Sequence, residues 1–172
     1  MGPAESPVPE PRELKVISRD AVGKAVEKAE HYRLLNDPEQ AESICLDVLT
    51  VEPNDQRALR VLVLAMTDQF ASPRGISGVQ SVRAFLGRLA DEYERAYYTG
   101  LVCERQARAY LGRTAGSLAY APFREAMEWY EKAERIRPPG NDDAILRWNS
   151  CARTMRRERL EPRVEERELP LE

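Results

Sequence analysis

A histidine and a cysteine are the residues whose types could support nucleophilic catalysis. His31 is the only histidine of the chain, and Cys45 follows it on what the pattern predicts to be the next helix of the same hairpin. Such a pair needs a base held within hydrogen-bond reach of the thiol. No acid or second cysteine stands at a fixed spacing from His31 to complete that arrangement. We therefore predict a non-enzymatic protein without catalytic residues.

The sequence also lacks the patterns of a phosphate-binding loop and of cysteine-based disulfide or metal sites. Gly75 and Gly78 lie in the stretch SPRGISG, which has neither the lysine nor the preceding strand of a phosphate-binding loop. The three cysteines, Cys45, Cys103 and Cys151, are odd in number and widely spaced, so they predict no disulfide framework and no metal site. We expect no metal and no cofactor.

Arginines recur through the second half of the chain and could form a basic face. Beside Tyr98 and Tyr110 such a face could contact phosphates and stack bases, which makes RNA binding the alternative function. A formal net charge of -3 argues against nucleic acid as the default partner. Glutamates also interrupt the series. The arginines are Arg105, Arg108, Arg113, Arg124, Arg147, Arg153, Arg156 and Arg157, and the glutamates are Glu94, Glu104, Glu125 and Glu158.

Prolines and helix caps divide the chain into helices. Asp37 is a typical N-cap, with Pro38 at the first helical position and Gln40 completing a capping box. Asp91 and Glu94 form a second box, and Asn36 tolerates the left-handed conformation at the end of a helix. Strand signals are nearly absent, so the fold class is all-α. The predicted helices span 20–35, 38–51, 56–70, 78–89, 91–112, 122–137 and 142–157.

Two of these helices share a spacing of small, large and proline residues. Steps of 4, 3 and 5 positions separate Ala41, Cys45, Val48 and Pro53. The same steps separate Ala126, Tyr130, Ala133 and Pro138. The small residues allow close helix contacts, and the proline ends the helix. The later hairpin contains an insertion, which lengthens both of its helices and predicts a protruding tip at 113–120.

The chain resembles the tetratricopeptide repeat (TPR) family. Residues 22–55 resemble one complete 34-residue unit, with Ala29 and Tyr32 in its first helix, Ala41 in its second and Pro53 near its end. Residues 56 to about 90 resemble a degenerate second unit. The resemblance implies stacked antiparallel hairpins that form a short solenoid over 20–157. The helix that contains Trp148 would cap its end.

The family binds its partners on the concave surface lined by the first helix of each hairpin. The resemblance therefore implies a non-enzymatic scaffold or adaptor that binds a protein or peptide partner. Val26 and Glu30 stand where chaperone-binding members carry lysine and asparagine, which argues against an adaptor for chaperone tails. The predicted partner-binding residues are Glu30, Arg33, Arg60, Leu64, Tyr97 and Leu101.

The two terminal segments differ in composition from the helical region. Residues 1–19 are rich in proline and predict a disordered leader, and residues 158–172 predict a charged tail. No apolar run is long enough to cross a bilayer, and the first residues do not resemble a signal peptide. We expect a cytoplasmic protein without a membrane partner.

Overall fold

The seven predicted helices are present, and their bounds differ from the predicted ones by at most three residues. A computed structural model describes residues 13–72, 78–113 and 116–162, and every regular element in these ranges is helical. The all-α prediction is confirmed. The α-helices are α1 Val22–Leu34, α2 Pro38–Val51, α3 Gln56–Asp68, α4 Val79–Leu86, α5 Glu92–Leu111, α6 Tyr120–Ile136 and α7 Asp143–Arg157, with short 3₁₀ turns at Arg19–Ala21 and Gly116–Leu118.

Parts of four predictions lie outside the described residues. Three of these parts are residues 1–12 of the predicted leader, residues 163–172 of the predicted tail, and residues 73–77, which include most of the glycine-containing stretch. The fourth part consists of residues 114 and 115 of the predicted hairpin tip.

Aspartate side chains fix the start of three helices. The backbone amide of Gln40 donates to Asp37 Oδ1 at 3.2 Å, and that of Glu94 donates to Asp91 Oδ1 at 2.8 Å. Asp55 caps α3 in the same way. Each bond satisfies an amide that has no partner within its own helix. Both predicted N-caps are therefore present.

Consecutive helices pack against one another along the whole chain, from α1 to α7. The turn between α1 and α2 places Asn36 at a φ of 61°, the left-handed conformation predicted for it. Helix α3 also contacts α1 and α5 directly, although one helix separates it from each of them in sequence. Helices α1, α3 and α5 therefore lie side by side in that order.

The hairpin of α5 and α6 is longer than the first hairpin. Helices α5 and α6 have 20 and 17 residues, whereas α1 and α2 have 13 and 14. Helix α6 begins at Tyr120, two residues before the predicted start at Pro122. The predicted lengthening is present, and a 3₁₀ turn follows α5 within the predicted tip.

Two clusters of buried side chains form the interior. The first core cluster contains residues of α1 to α4, Phe70 and Leu89 from the segments after α3 and α4, and two residues of α5, Val102 and Ala109. The second core cluster contains residues of α5, α6 and α7, and Trp148 packs against it. Helix α5 therefore contributes to both clusters.

The residues that share a spacing in α2 and α6 are all fully buried. Ala41, Cys45 and Val48 have an exposed fraction of 0%, as do Ala126, Tyr130 and Ala133. Close packing is tightest opposite Gly100 of α5, where an added Cβ atom would lie 2.8 Å from ring atoms of Tyr130. The small residue is thus needed for α5 and α6 to approach.

Candidate functional site

Four of the six predicted binding residues line one cavity between α1, α3 and α5. The cavity has a volume of about 400 Å³, and we call it the first cavity. Leu34, which is 80% exposed, supplies part of its apolar wall. The predicted residues that line it are Glu30, Arg33, Arg60 and Leu64, and Tyr98 lines it from α5.

The other two predicted residues do not line this cavity. Leu101 is 1% exposed and belongs to the interior. Tyr97 points toward the second core cluster, where its ring centroid lies 5.9 Å from that of Tyr130. Tyr98 occupies the place that was predicted for Tyr97. One residue is a rotation of about 100° around a helix, so this difference changes the face on which the ring lies.

Ion pairs join helices α1, α3 and α5 beside the first cavity. Arg57 of α3 donates to both carboxylate oxygens of Glu30 of α1, at 2.7 and 2.6 Å. Arg60 of α3 donates to both oxygens of Glu94 of α5, at 3.1 and 3.2 Å. The hydrogen bonds from Arg57 hold the pKa of Glu30 below its ordinary value. We call this face of α1, α3 and α5 the ladder surface.

A third group of charges crosses the ladder surface at Asp68, near the end of α3. Arg33 of α1 places Nε 2.6 Å from Asp68 Oδ2, but its N–H is not directed at that oxygen, so the attraction is that of an ion pair. Arg105 of α5 pairs with the other oxygen and donates to Thr67 Oγ1 at 2.8 Å. Burial lowers the pKa of the Arg105 guanidinium, which arginine tolerates while staying charged at neutral pH.

A second cavity lies beside this group of charges, between the ends of α3 and α5. Its volume is about 290 Å³, and Arg105, Arg108 and Arg113 line it together with a single carboxylate, that of Asp68. Ala109 of α5 and Gly112, which directly follows that helix, also line the cavity. Arg33 and Arg105 pair with the same aspartate from the two cavities, so the first and second cavities are neighbours on one surface.

Glu104 is a charged side chain in the interior, with an exposed fraction of 1%. Its carboxylate accepts from Tyr130 Oη at 2.7 Å and from Arg108 Nε at 2.9 Å. Arg147 of α7 places Nη1 3.6 Å from the same group. Burial raises the pKa of the Tyr130 hydroxyl, which therefore remains a hydrogen-bond donor at all physiological pH values. The carboxylate links α5, α6 and α7 and holds Arg108 at the edge of the second cavity.

Each glutamate that interrupts the arginine series is paired with an arginine. Glu94 pairs with Arg60, Glu125 with Arg83, and Glu158 with Arg157. Glu104 pairs with two members of the series. Arg124, Arg153 and Arg156 are exposed on α6 and α7, away from the lining of either cavity. The series therefore does not form one basic face, since some members pair with carboxylates and others are exposed on α6 and α7.

The thiols and the histidine lie in different environments. All three cysteines are buried, and burial raises the pKa of each thiol to about 12. A protonated thiol is a poor nucleophile and a poor metal ligand. His31 is exposed on α1. Among the residues that the structure describes, no group of three or more His, Cys, Asp or Glu side chains is placed to hold a metal ion.

Comparisons with known proteins give no relative. No family model matches the chain, and neither the curated proteins nor the solved structures contain a match. In the described ranges no helix is both long and apolar enough to span a membrane. The function must therefore be argued from the two cavities and the charges around them.

Proposed function

We propose that the chain is a non-enzymatic scaffold built of TPR-like hairpins, which binds an extended segment of a partner protein along the ladder surface. The first cavity carries this proposal. Three odd-numbered helices line it, and it combines the apolar side chains of Leu34, Leu64 and Tyr98 with ion-paired rims. A concave, partly apolar cavity with a few fixed polar groups is the usual form of a binding site.

The positions of the helices support TPR-like hairpins. Helix α1 begins at Val22 and α3 begins at Gln56, 34 positions later, and both have 13 residues. Arg60 pairs with Glu94, also 34 positions away, and Gln56 Oε1 accepts from the amide of Ala90 at the same separation. Equivalent positions of stacked repeats lie next to one another, so contacts at this separation are expected for a repeat of that length.

Nucleic-acid binding is supported less well by the arginines. A strand of nucleic acid needs a continuous run of cations, because each phosphate carries a charge. Arg57 and Arg60 are instead neutralised by the carboxylates of Glu30 and Glu94 along the ladder surface. The protein partner is therefore the better proposal for this surface.

Capture of partners from cells by a pair of matched variants tests the proposal. Leu34→Gln with Leu64→Gln changes two leucines of the first cavity. Leu46→Gln with Leu146→Gln makes the same change at two leucines on α2 and α7 that are 43% and 64% exposed. Proteins captured by the unaltered chain should be lost from the cavity variant and retained by the control, as quantified by mass spectrometry.

Thermal unfolding followed by circular dichroism must accompany this experiment. Exposed substitutions change stability little, so Leu34→Gln alone should leave the unfolding temperature nearly unchanged. Equal capture by the cavity variant and the control would contradict binding at the first cavity. Capture that disappears after treatment with ribonuclease would instead support the nucleic-acid alternative.

A further inference from the structure

The second cavity carries more positive charge than its surroundings. Arg105, Arg108 and Arg113 line it; Arg33 and Arg105 share the carboxylate of Asp68, and Arg108 and Arg147 share that of Glu104, so five arginines face two carboxylates in a chain whose formal net charge is -3. Burial lowers the pKa of Arg105 most, Asp68 opposes that effect, and like-charge repulsion from Arg33 and, more weakly, Arg147 adds to it. A concave site lined by one sign of charge attracts ligands of the opposite sign.

The arginines of this cavity keep donors for a ligand. Hydrogen bonds within the described residues engage Nη1 of Arg105, Nη2 of Arg113, and Nε with Nη2 of Arg108. A guanidinium has five N–H donors in a planar fork, and one free edge is enough to bind a carboxylate through two parallel hydrogen bonds. The engaged donors fix each side chain, and each guanidinium has further N–H groups beyond those engaged within the described residues.

Two of the arginines are fixed by neighbouring side chains. Glu104, which is 1% exposed, accepts from Arg108 Nε, and Nη2 of the same arginine donates to Ser150 Oγ of α7 at 3.1 Å. Arg105 is held by Asp68 and Thr67. Long side chains that are fixed before binding lose less conformational freedom when the ligand arrives. The cavity is thus organised before any partner is present.

We propose that the second cavity binds the carboxylate side chains of an acidic segment of the partner protein. This inference rests on the proposed function, since the same segment would cross the Arg33–Asp68–Arg105 group and place an apolar side chain in the first cavity. A peptide fits better than a nucleic acid, because the surplus of positive charge is confined to a cavity of about 290 Å³. On the adjoining ladder surface Arg57 and Arg60 are paired with Glu30 and Glu94, so that surface offers no continuous run of cations to a chain of phosphates.

Fluorescence anisotropy with short labelled peptides tests the proposal without knowledge of the natural partner. The probe is a fluorescein-labelled decapeptide rich in glutamate with one leucine, and the control probe has glutamine at every glutamate. The glutamate peptide should bind at least about tenfold more tightly, and its affinity should fall as salt is added. Equal affinity for the two peptides, or no binding of either, would overturn the proposal.

Matched variants locate the binding. Arg108→Gln with Arg113→Gln removes two charges from the cavity, and Arg153→Gln with Arg156→Gln removes two from exposed positions of α7. We expect at least about a tenfold loss of affinity for the first variant and less than about twofold for the second. Equal losses would mean that the peptide responds only to overall charge, and would overturn the assignment to the cavity.

A third variant guards against loss of folding, because Arg108 also pairs with the buried Glu104. Arg108→Lys with Arg113→Gln keeps a positive charge beside Glu104 but loses the planar fork, so it should fold and still bind the glutamate peptide several-fold more weakly. Unaltered affinity in this folded variant would contradict the proposal. Tighter binding of a labelled oligouridylate than of the peptide, with the same sensitivity to the variants, would assign the cavity to nucleic acid instead.

The peptide-binding experiment and the capture experiment with the leucine variant can fail independently of each other. Loss of partner capture in the leucine variant with no peptide selectivity would leave the scaffold proposal standing and remove the acidic ligand. Peptide selectivity with unchanged capture in the leucine variant would remove the first cavity from the binding surface.

Discussion

The two core clusters are stabilised by different kinds of contact. The first core cluster consists of apolar side chains such as Leu59, Leu62 and Val63, each with an exposed fraction of 0%. The second surrounds a carboxylate, that of Glu104, which accepts a hydrogen bond from the fully buried Tyr130. The first therefore depends on filled volume, whereas the second depends also on complete pairing of polar groups.

Helix α5 couples the two clusters. Val102 and Ala109 belong to the first, while Cys103 and Ala107 belong to the second. The two tryptophans of the chain, Trp129 and Trp148, both pack against the second cluster. Tryptophan fluorescence therefore reports on the second cluster, whereas far-ultraviolet circular dichroism reports on the helices of both.

The largest effect should come from a cavity in the first cluster. Leu62→Ala removes a fully buried side chain and should lower the free energy of unfolding by about 2 to 5 kcal/mol. Because α5 is shared, we expect the midpoints of urea unfolding by fluorescence and by circular dichroism to fall together. Leu46→Ala, at a position that is 43% exposed, should cost less than about 1 kcal/mol. A lower midpoint by circular dichroism alone would show that the clusters unfold separately.

A smaller effect should follow from loss of one hydroxyl in the second cluster. Tyr130→Phe keeps the volume of the ring but removes the donor 2.7 Å from Glu104, which leaves a buried carboxylate with one bond fewer. We expect the free energy of unfolding to fall by about 1 to 3 kcal/mol. The measurement is urea unfolding followed by tryptophan fluorescence.

Tyr110→Phe is the matched control for that change. Tyr110 is partly exposed, and its hydroxyl accepts from Gln106 at 3.4 Å, a long hydrogen bond. This substitution should cost less than about 0.5 kcal/mol. Equal costs at the two tyrosines would contradict a special role for the polar pairing in the second cluster.

Helix boundaries were predictable because their signals are local. The range predicted from Asp37 to Pro53, 38–51, matches α2, since the cap and the first turn involve only neighbouring residues. The prediction of 78–89 for α4 was too long, because the helix ends at Leu86, before Gly87. Leu89, which lies beyond the end of the helix, is still buried.

The candidate sites were less predictable because they depend on contacts between distant helices. Glu104 was interpreted only as a break in the arginine series, and its partner Tyr130 lies 26 positions away. A sequence signal for the burial of Glu104 existed, because this residue lies four positions after Gly100 and three before Ala107, on the same helix face as these small residues. The strict 34-residue spacing from Leu64 would likewise have indicated Tyr98 rather than Tyr97.

The smallest effect should come from an ion pair of the ladder surface, which contrasts with the buried carboxylate of Glu104. Arg57→Gln removes the partner of Glu30, whose side chain is 39% exposed, so the cost at pH 7 should be smaller than that of either buried substitution. The bond from Arg57 holds the pKa of Glu30 below its ordinary value of 4.5. The stabilisation is therefore present above that value and is lost as the pH falls through the lower pKa of the folded state.

Urea unfolding at pH 7 and near pH 3 should show a difference in the free energy of unfolding between the variant and the unaltered chain, and this difference should shrink at the acidic pH. Lys28→Gln, an exposed change of equal charge on α1, should show a smaller difference at pH 7. A difference for Arg57→Gln that persists undiminished in acid would instead mean that Arg57 stabilises the protein through packing of its side chain rather than through its charge.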